Sequence, residues 1–152
     1  MKVLGLGGSN HDFAACLVID GQVEAAIEEE RITRIKHSLG LGLKAVRCRS
    51  AEYVLKAHSL TIDDIDYIVG NDILDPKFYE KYKDQIHLMN HHLAHACSSY
   101  YVSGFKESAI LVIDGYGSPV RGEEAQNETV SFIAPKKKIL SSFIMCRVIW
   151  IG

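Results

Sequence analysis

The chain has 152 residues and a formal charge of −2, with 47% hydrophobic and 24% charged residues. That is globular composition at a length sufficient for one ordinary core, and it excludes disordered and fibrous classes. The near-neutral charge supplies no global attraction to nucleic acid or to an anionic membrane surface. Short basic clusters at 31–36 and 136–138 read as solvated surface. Cys16, Cys48, Cys97 and Cys146 are irregularly spaced with no CxxC pair, which argues against a zinc ribbon or a thioredoxin-like redox site. Cys16 and Cys97 sit among apolar and small residues and read as buried reduced thiols. The opening apolar run is too short for a signal peptide, and no stretch approaches the ~20 apolar residues that span a bilayer. The expectation is a cytoplasmic, reduced protein.

Residues 3–7 form a short apolar run ending in the turn-forming cluster Gly7-Gly8-Ser9-Asn10. A second run, 13–19, closes on Asp20-Gly21, a strong hairpin signal, and a third follows at 22–27. Three strands joined by tight turns, an antiparallel meander, are predicted to open the fold. The charged stretch 28–37 leaves the sheet. Residues 44–58 read as a helix with Val46, Tyr53, Val54 and Ala57 on one face. Thr61 is placed to cap a short helical turn against Asp64. Residues 67–69 and 86–89 read as strands, 71–83 as loop and short helix, and 90–101 as a helix rich in small residues. Strands are predicted again at 109–113 and 129–134, separated by a polar excursion that begins Asp114-Gly115-Tyr116-Gly117-Ser118. The second strand–loop–strand unit repeats the first, which points to an internally duplicated α/β fold. In such folds two glycine-containing loops face one another across a phosphate-binding cleft, where backbone N–H groups reach oxygens without an intervening Cβ.

The segment Asn90-His91-His92-Leu93-Ala94-His95-Ala96 carries the most chemical information. On a helix, His91 and His95 fall one turn apart on the same face, a spacing that allows two imidazoles to bind one metal ion. Hydrogen-bonded structural histidines are the alternative. Two histidines do not complete a site, so a third ligand, usually a carboxylate, must come from elsewhere.

Asn90–Ala96, the following Ser98-Ser99-Tyr100-Tyr101, and the strand ending Asp114-Gly115-Tyr116-Gly117 together resemble the NodU/CmcH carbamoyltransferase family. The opening agrees as well, in Leu4-Gly5, His11-Asp12, Ala14-Ala15-Cys16-Leu17-Val18-Ile19-Asp20-Gly21, Glu28-Glu29-Glu30-Arg31 and Lys36-His37. The likeness runs to about residue 134, with the motifs in order.

The resemblance implies a duplicated actin-like/sugar-kinase-like (ribonuclease H-like) α/β fold. Residues 1–107 would be its first subdomain, residues 108–134 the first hairpin of the second, and residues 135–152 a tail outside the family pattern. It implies O-carbamoyl transfer from carbamoyl phosphate and ATP, through carbamoyl-adenylate, to a hydroxyl of a small-molecule acceptor. It also implies a divalent metal, iron by family, held by His91 and His95. His11 and Asp12 become candidates for contacting the carbamoyl or phosphate group, with turn formation as the alternative. Asp114, Gly115 and Gly117 match the second phosphate loop. His92, on another helix face, would be a substrate or supporting contact, or packing. Full-length relatives are several times longer and supply a further aspartate ligand and an activating domain. This chain is therefore expected to be incomplete and inactive alone, and to need a complementary chain or a homodimer. The rival readings are a tRNA threonylcarbamoyl-adenosine-forming protein, a non-catalytic sugar-kinase-like binding module, and an inert fragment.

Overall fold

The structure, a computed structural model, describes residues 1–9, 11–39, 48–119 and 129–133. The first three strands form where the apolar runs predict them: β1 (Lys2–Gly7), β2 (Ala14–Ile19) and β3 (Gln22–Glu28). Asp20 and Gly21 both adopt positive φ, 49° and 83°, the left-handed pair that a two-residue hairpin turn requires. The β1–β2 connection is different. It is an open loop spanning residues 8–13 rather than a tight turn, and it carries site residues.

The chain then leaves the sheet through α1 (Glu29–Thr33) and a 3₁₀ turn (Lys36–Ser38), and the next described helix is α2 (Arg49–Ala57). Residues 44–47 of the predicted helix, including Val46, lie outside the described residues. The buried face of α2 is Ser50, Ala51, Val54 and Leu55, whereas Tyr53 is 54% exposed. The sequence reading picked Val54 correctly but took Tyr53 and Ala57 for its neighbours on the core side. Thr61 and Asp64 make the predicted capping box at the next 3₁₀ turn (Ile62–Asp64). There follow β4 (Tyr67–Asn71), the short α3 (Pro76–Tyr79), β5 (Ile86–Met89) and the long α4 (His91–Ser103). The five strands are ordered β3-β2-β1-β4-β5, antiparallel through β3, β2 and β1 and parallel through β1, β4 and β5. A separate antiparallel pair, β6 (Ile110–Ile113) and β7 (Val130–Ile133), follows α4.

Side-chain alternation divides the core into two layers. Leu4, Leu6, Ala15, Leu17 and Ile68 face one way and bury against Val54, Leu55, Leu74, Phe78 and Tyr82. Val3, Cys16, Val18 and Val69 face the other way and meet Ala94 of α4, which explains the small residues on that helix. Phe13, fully buried, stacks on Phe78 with centroids 4.1 Å apart and anchors the end of the 8–13 loop. Cys16 and Cys97 are both buried, as their apolar and small neighbours implied, and burial pushes the Cys97 thiol pKa up to about 11. Among the described residues, no helix is long and apolar enough to cross a membrane.

The α1–α2 junction rests on one buried charge. Glu29 is 2% exposed, and its two carboxylate oxygens accept the backbone N–H groups of Arg49 (3.3 Å) and Ser50 (2.7 Å) at the start of α2. These amides have no partner within the helix, and an anion there also complements the helix dipole. Glu29→Ala is expected to destabilise the chain by about 2 kcal/mol in urea unfolding, with Glu29→Gln recovering part of the loss. Equal stability of Glu29→Ala and the parent would show that the contact contributes nothing net.

Candidate metal centre

Helix α4 begins sharply because Asn90 accepts the N–H of Leu93 (2.8 Å), and it ends on Gly104 at φ +74°. The cap fixes His91 as the first helical residue and brings His95 over it one turn later, with ring centroids 4.5 Å apart. The Nε2 atoms of the two rings lie 3.0 Å apart. Asp114 stands just beyond β6, and its Oδ2 lies 2.8 Å from each of these nitrogens. Its other oxygen accepts the N–H of Gly115 (2.7 Å), which turns Oδ2 toward the histidines. His91 is buried, while His95 and Asp114 are partly open.

Burial alone would raise the Asp114 carboxyl pKa. Hydrogen bonds from His91, His95 and the Gly115 N–H, with the charge of His95, outweigh it and hold the group at about 2. Two imidazole nitrogens and one carboxylate oxygen thus converge, all within 4.8 Å of one another, and among the described residues they form the one cluster with metal-ligand chemistry. The separations also fit a cation. Ligands at ~2.1 Å from a metal and at right angles to one another are ~3.0 Å apart, the edge of an octahedral face. Two histidines and a carboxylate on one such face, with the other positions open, form the donor set of non-haem iron(II) sites.

His91 and Asp114 open on a cavity of about 420 Å³ whose other walls are Gly8, Ser9, His11, Asp12, Ile73 and Tyr116. The loop wall is tightly built. Asn71, buried at the end of β4, donates from its side chain to the carbonyl of Gly8 (2.9 Å). Gly8 sits at φ +116°, and a Cβ there would lie 2.9 Å from the carbonyl oxygens of both His11 and Asp12. The Asp12 carboxylate bridges two imidazoles, 2.6 Å from Nδ1 of His11 and 3.0 Å from Nδ1 of His37. The Asp12 N–H also donates to the carbonyl of His37 (2.6 Å), so the charged stretch after β3 is tied to the site.

The structure therefore brings His11, Asp12, His91 and Asp114 to one cavity, with His95 next to His91 and outside the lining. His92 is 1% exposed and lies outside the cavity lining, with Nδ1 2.7 Å from the Ser131 hydroxyl on β7. Gly115 and Gly117 are also outside the lining, and the Gly115 N–H is engaged by Asp114. The required glycine of the site is Gly8, signalled in the sequence only as part of a turn cluster. Ser9, Ile73 and Tyr116 were not singled out by sequence. Asp114, expected in a second phosphate loop, stands within 4.8 Å of the ligand nitrogens of both histidines, where a third donor would be needed.

Residues 2–83, just over half of the chain, match the model of the family described as carbamoyltransferase N-terminus. The chain belongs to this family. It is 36% identical over 144 residues to the nodulation protein NolNO of Sinorhizobium fredii, covering 74% of this chain and 20% of that protein. It is 28% identical over 161 residues to the uncharacterized protein sll1178 of Synechocystis, covering 76% of this chain and 25% of that protein. The chain thus spans a fifth to a quarter of these relatives. Among solved structures it resembles YeaZ from Pseudomonas aeruginosa with a TM-score of 0.50 and 12% identity, over 90% of this chain and 68% of that one. The fold is of the actin-like/sugar-kinase-like class, as the 3-2-1-4-5 strand order also indicates.

Because the folded pKa of Asp114 is depressed, its contribution to stability is complete above the ordinary aspartate value near ~3.9 and is lost as pH falls toward 2. In metal-free protein, Asp114→Asn should lower the melting temperature at pH 6. The gap to the parent should close between pH 4 and about 2. A gap independent of pH would place the effect in packing and not in the carboxylate charge.

Proposed function

We propose that the chain is the N-terminal part of an O-carbamoyltransferase. It would transfer a carbamoyl group, activated from carbamoyl phosphate and ATP as carbamoyl-adenylate, to a hydroxyl of a small-molecule acceptor. The observation that carries this reading is the convergence of His91, His95 and Asp114 beside a cavity that His91 and Asp114 share with His11 and Asp12, in a chain of the carbamoyltransferase family. His91, His95 and Asp114 would hold an iron-type divalent cation. When bound, that cation supplies Lewis-acid polarisation of a phosphate or hydroxyl oxygen.

In the transfer, the acceptor oxygen bonds to the carbamoyl carbon as the bond from that carbon to the adenylate oxygen breaks. AMP leaves with the electron pair. The hydroxyl proton would pass to His11, which lines the cavity and whose Nδ1 lies 2.6 Å from the Asp12 carboxylate; with Nδ1 donating to Asp12, Nε2 is the nitrogen left as base. Gly8 allows the loop to close this tightly. The ATP-activating machinery belongs to the remainder of the longer relatives, in the same polypeptide or in a complementary one. A formal charge of −2 supplies no global attraction to tRNA, which favours a small-molecule acceptor.

A metal titration tests the centre. His91→Ala, His95→Ala and Asp114→Ala should each weaken iron(II) or cobalt(II) binding by at least about tenfold, and His92→Ala by much less. Binding should also weaken as pH falls through the ordinary histidine range near ~6.5, because neutral imidazole is the ligand. Circular dichroism checks that each variant folds. If His92→Ala is as damaging as the other substitutions, the four-residue spacing does not build the site. The transfer reading is tested by calorimetry with a non-hydrolysable carbamoyl-adenylate analogue on the metal-loaded chain. Saturable binding lost in His11→Ala supports it, and no binding to the parent chain overturns it.

A further inference from the structure

A hydroxyl outside the donor set joins three separate segments beside the triad. Ser118 is 3% exposed, and its Oγ accepts the N–H of His91 (2.8 Å) while donating to Oδ1 of Asp72 (2.6 Å). A serine hydroxyl has one proton to donate and lone pairs to accept, and here both functions are used. The His91 N–H is among those at a helix start with no intrahelical partner. Four residues upstream, Asp114 is fixed at its other end, its N–H donating to the carbonyl of Thr129 (2.9 Å) across the β6–β7 pair. The segment 114–118 is therefore tied at both ends, once to β7 and once to the first residue of α4. Asp72 is itself held, its N–H donating to the carbonyl of Met89 at the end of β5 (2.9 Å). Its carboxylate also lies near the positive end of α4, where an anion is favoured.

We infer that Ser118, backed by Asp72, is a positioning residue that clasps the Asp114 loop to the start of α4 and so sets Asp114 over His91 and His95. The inference rests on the metal reading proposed above and assigns the clasp a purpose within it. Without the hydroxyl, Asp114 keeps its strand anchor but loses the second point that fixes its direction toward the helix. The buried N–H of His91, the residue that carries one ligand nitrogen, loses its acceptor at the same time. Supporting hydrogen bonds of this kind govern how well a ligand set is organised before a cation arrives.

Two measurements test this. Calorimetric titration with cobalt(II) should show about a tenfold weaker affinity in Ser118→Ala, while Ser118→Thr, which keeps the hydroxyl, stays within about threefold of the parent. Asp72→Ala should weaken binding in the same direction. In metal-free protein, amide hydrogen exchange at His91 and Gly115 should accelerate about tenfold in Ser118→Ala, whereas Leu93, capped by Asn90, should not change. The Leu93 amide also serves as the check that α4 is folded. Equal cobalt affinity in Ser118→Ala and the parent overturns the inference while leaving the metal reading intact. If the parent itself does not bind cobalt, the metal reading fails, and exchange decides the clasp alone. Unchanged exchange at His91 and Gly115 refutes it.

Discussion

The shared carboxylate of Asp114 is the contact on which the arrangement of the site depends. The two histidines are placed by local rules, since a capped helix with a four-residue spacing puts them one turn apart on one face, here with their rings edge to face. Asp114 arrives from the next strand, 19 residues past His95, and its position reflects how β6 packs on α4. Bringing two imidazole nitrogens and a carboxylate oxygen within about 3 Å is unfavourable for neutral apolar packing and favourable for charge. The depressed carboxyl pKa expresses that balance, with hydrogen bonding to the charged form outweighing partial burial. A cation would share the same three atoms and relieve the contact between the two ring nitrogens.

Much of the fold was legible because its elements obey short-range rules. The Asp20-Gly21 hairpin, the Thr61–Asp64 capping box and the helix after Asn90 each follow from residues close in sequence. The histidine pair was legible for the same reason. The errors share a cause as well. On α2 the buried face is chosen by what the sheet presents, and Ser50 and Ala51 fit against it better than the larger Tyr53. A propensity pattern cannot express that preference. The approach of Asp114 to a helix some twenty residues away is also tertiary information, which the glycines that follow it do not announce. Gly8 was likewise visible only as one glycine in a turn cluster. The carbonyls that forbid a Cβ there belong to His11 and Asp12, and they face it only once the loop has closed.

The opposite wall of the cavity is organised by a second carboxylate bridge. Asp12 sits in the left-handed region, as does His37, and the two residues exchange a backbone hydrogen bond and a side-chain contact. Left-handed backbone is disfavoured for non-glycine residues, so its presence at both partners indicates that the surrounding contacts over-determine the geometry. Glu29 and Glu30 continue the same scaffold, one reaching the start of α2 and the other accepting the N–H of His37 (2.7 Å). The charged stretch after β3 is thus a brace for the site loop, which explains why acidic and basic residues cluster at that point in the chain.

The cavity is walled by residues near both ends of the described chain, from Gly8 to Tyr116. Contacts so distant in sequence carry a large loop-closure entropy, which is offset only after intervening structure has shortened the effective loop. The β1–β2–β3 meander and the parallel additions of β4 and β5 provide that shortening, because they place the 8–13 loop and the start of α4 along one end of the sheet. The site is therefore expected to assemble late on the folding pathway. Truncations or nascent chains that end before β6 would hold the sheet and both histidines yet lack the carboxylate that completes the cluster. Sheet formation and site formation are in this sense two events separated along the chain, the second gated by the emergence of a single aspartate.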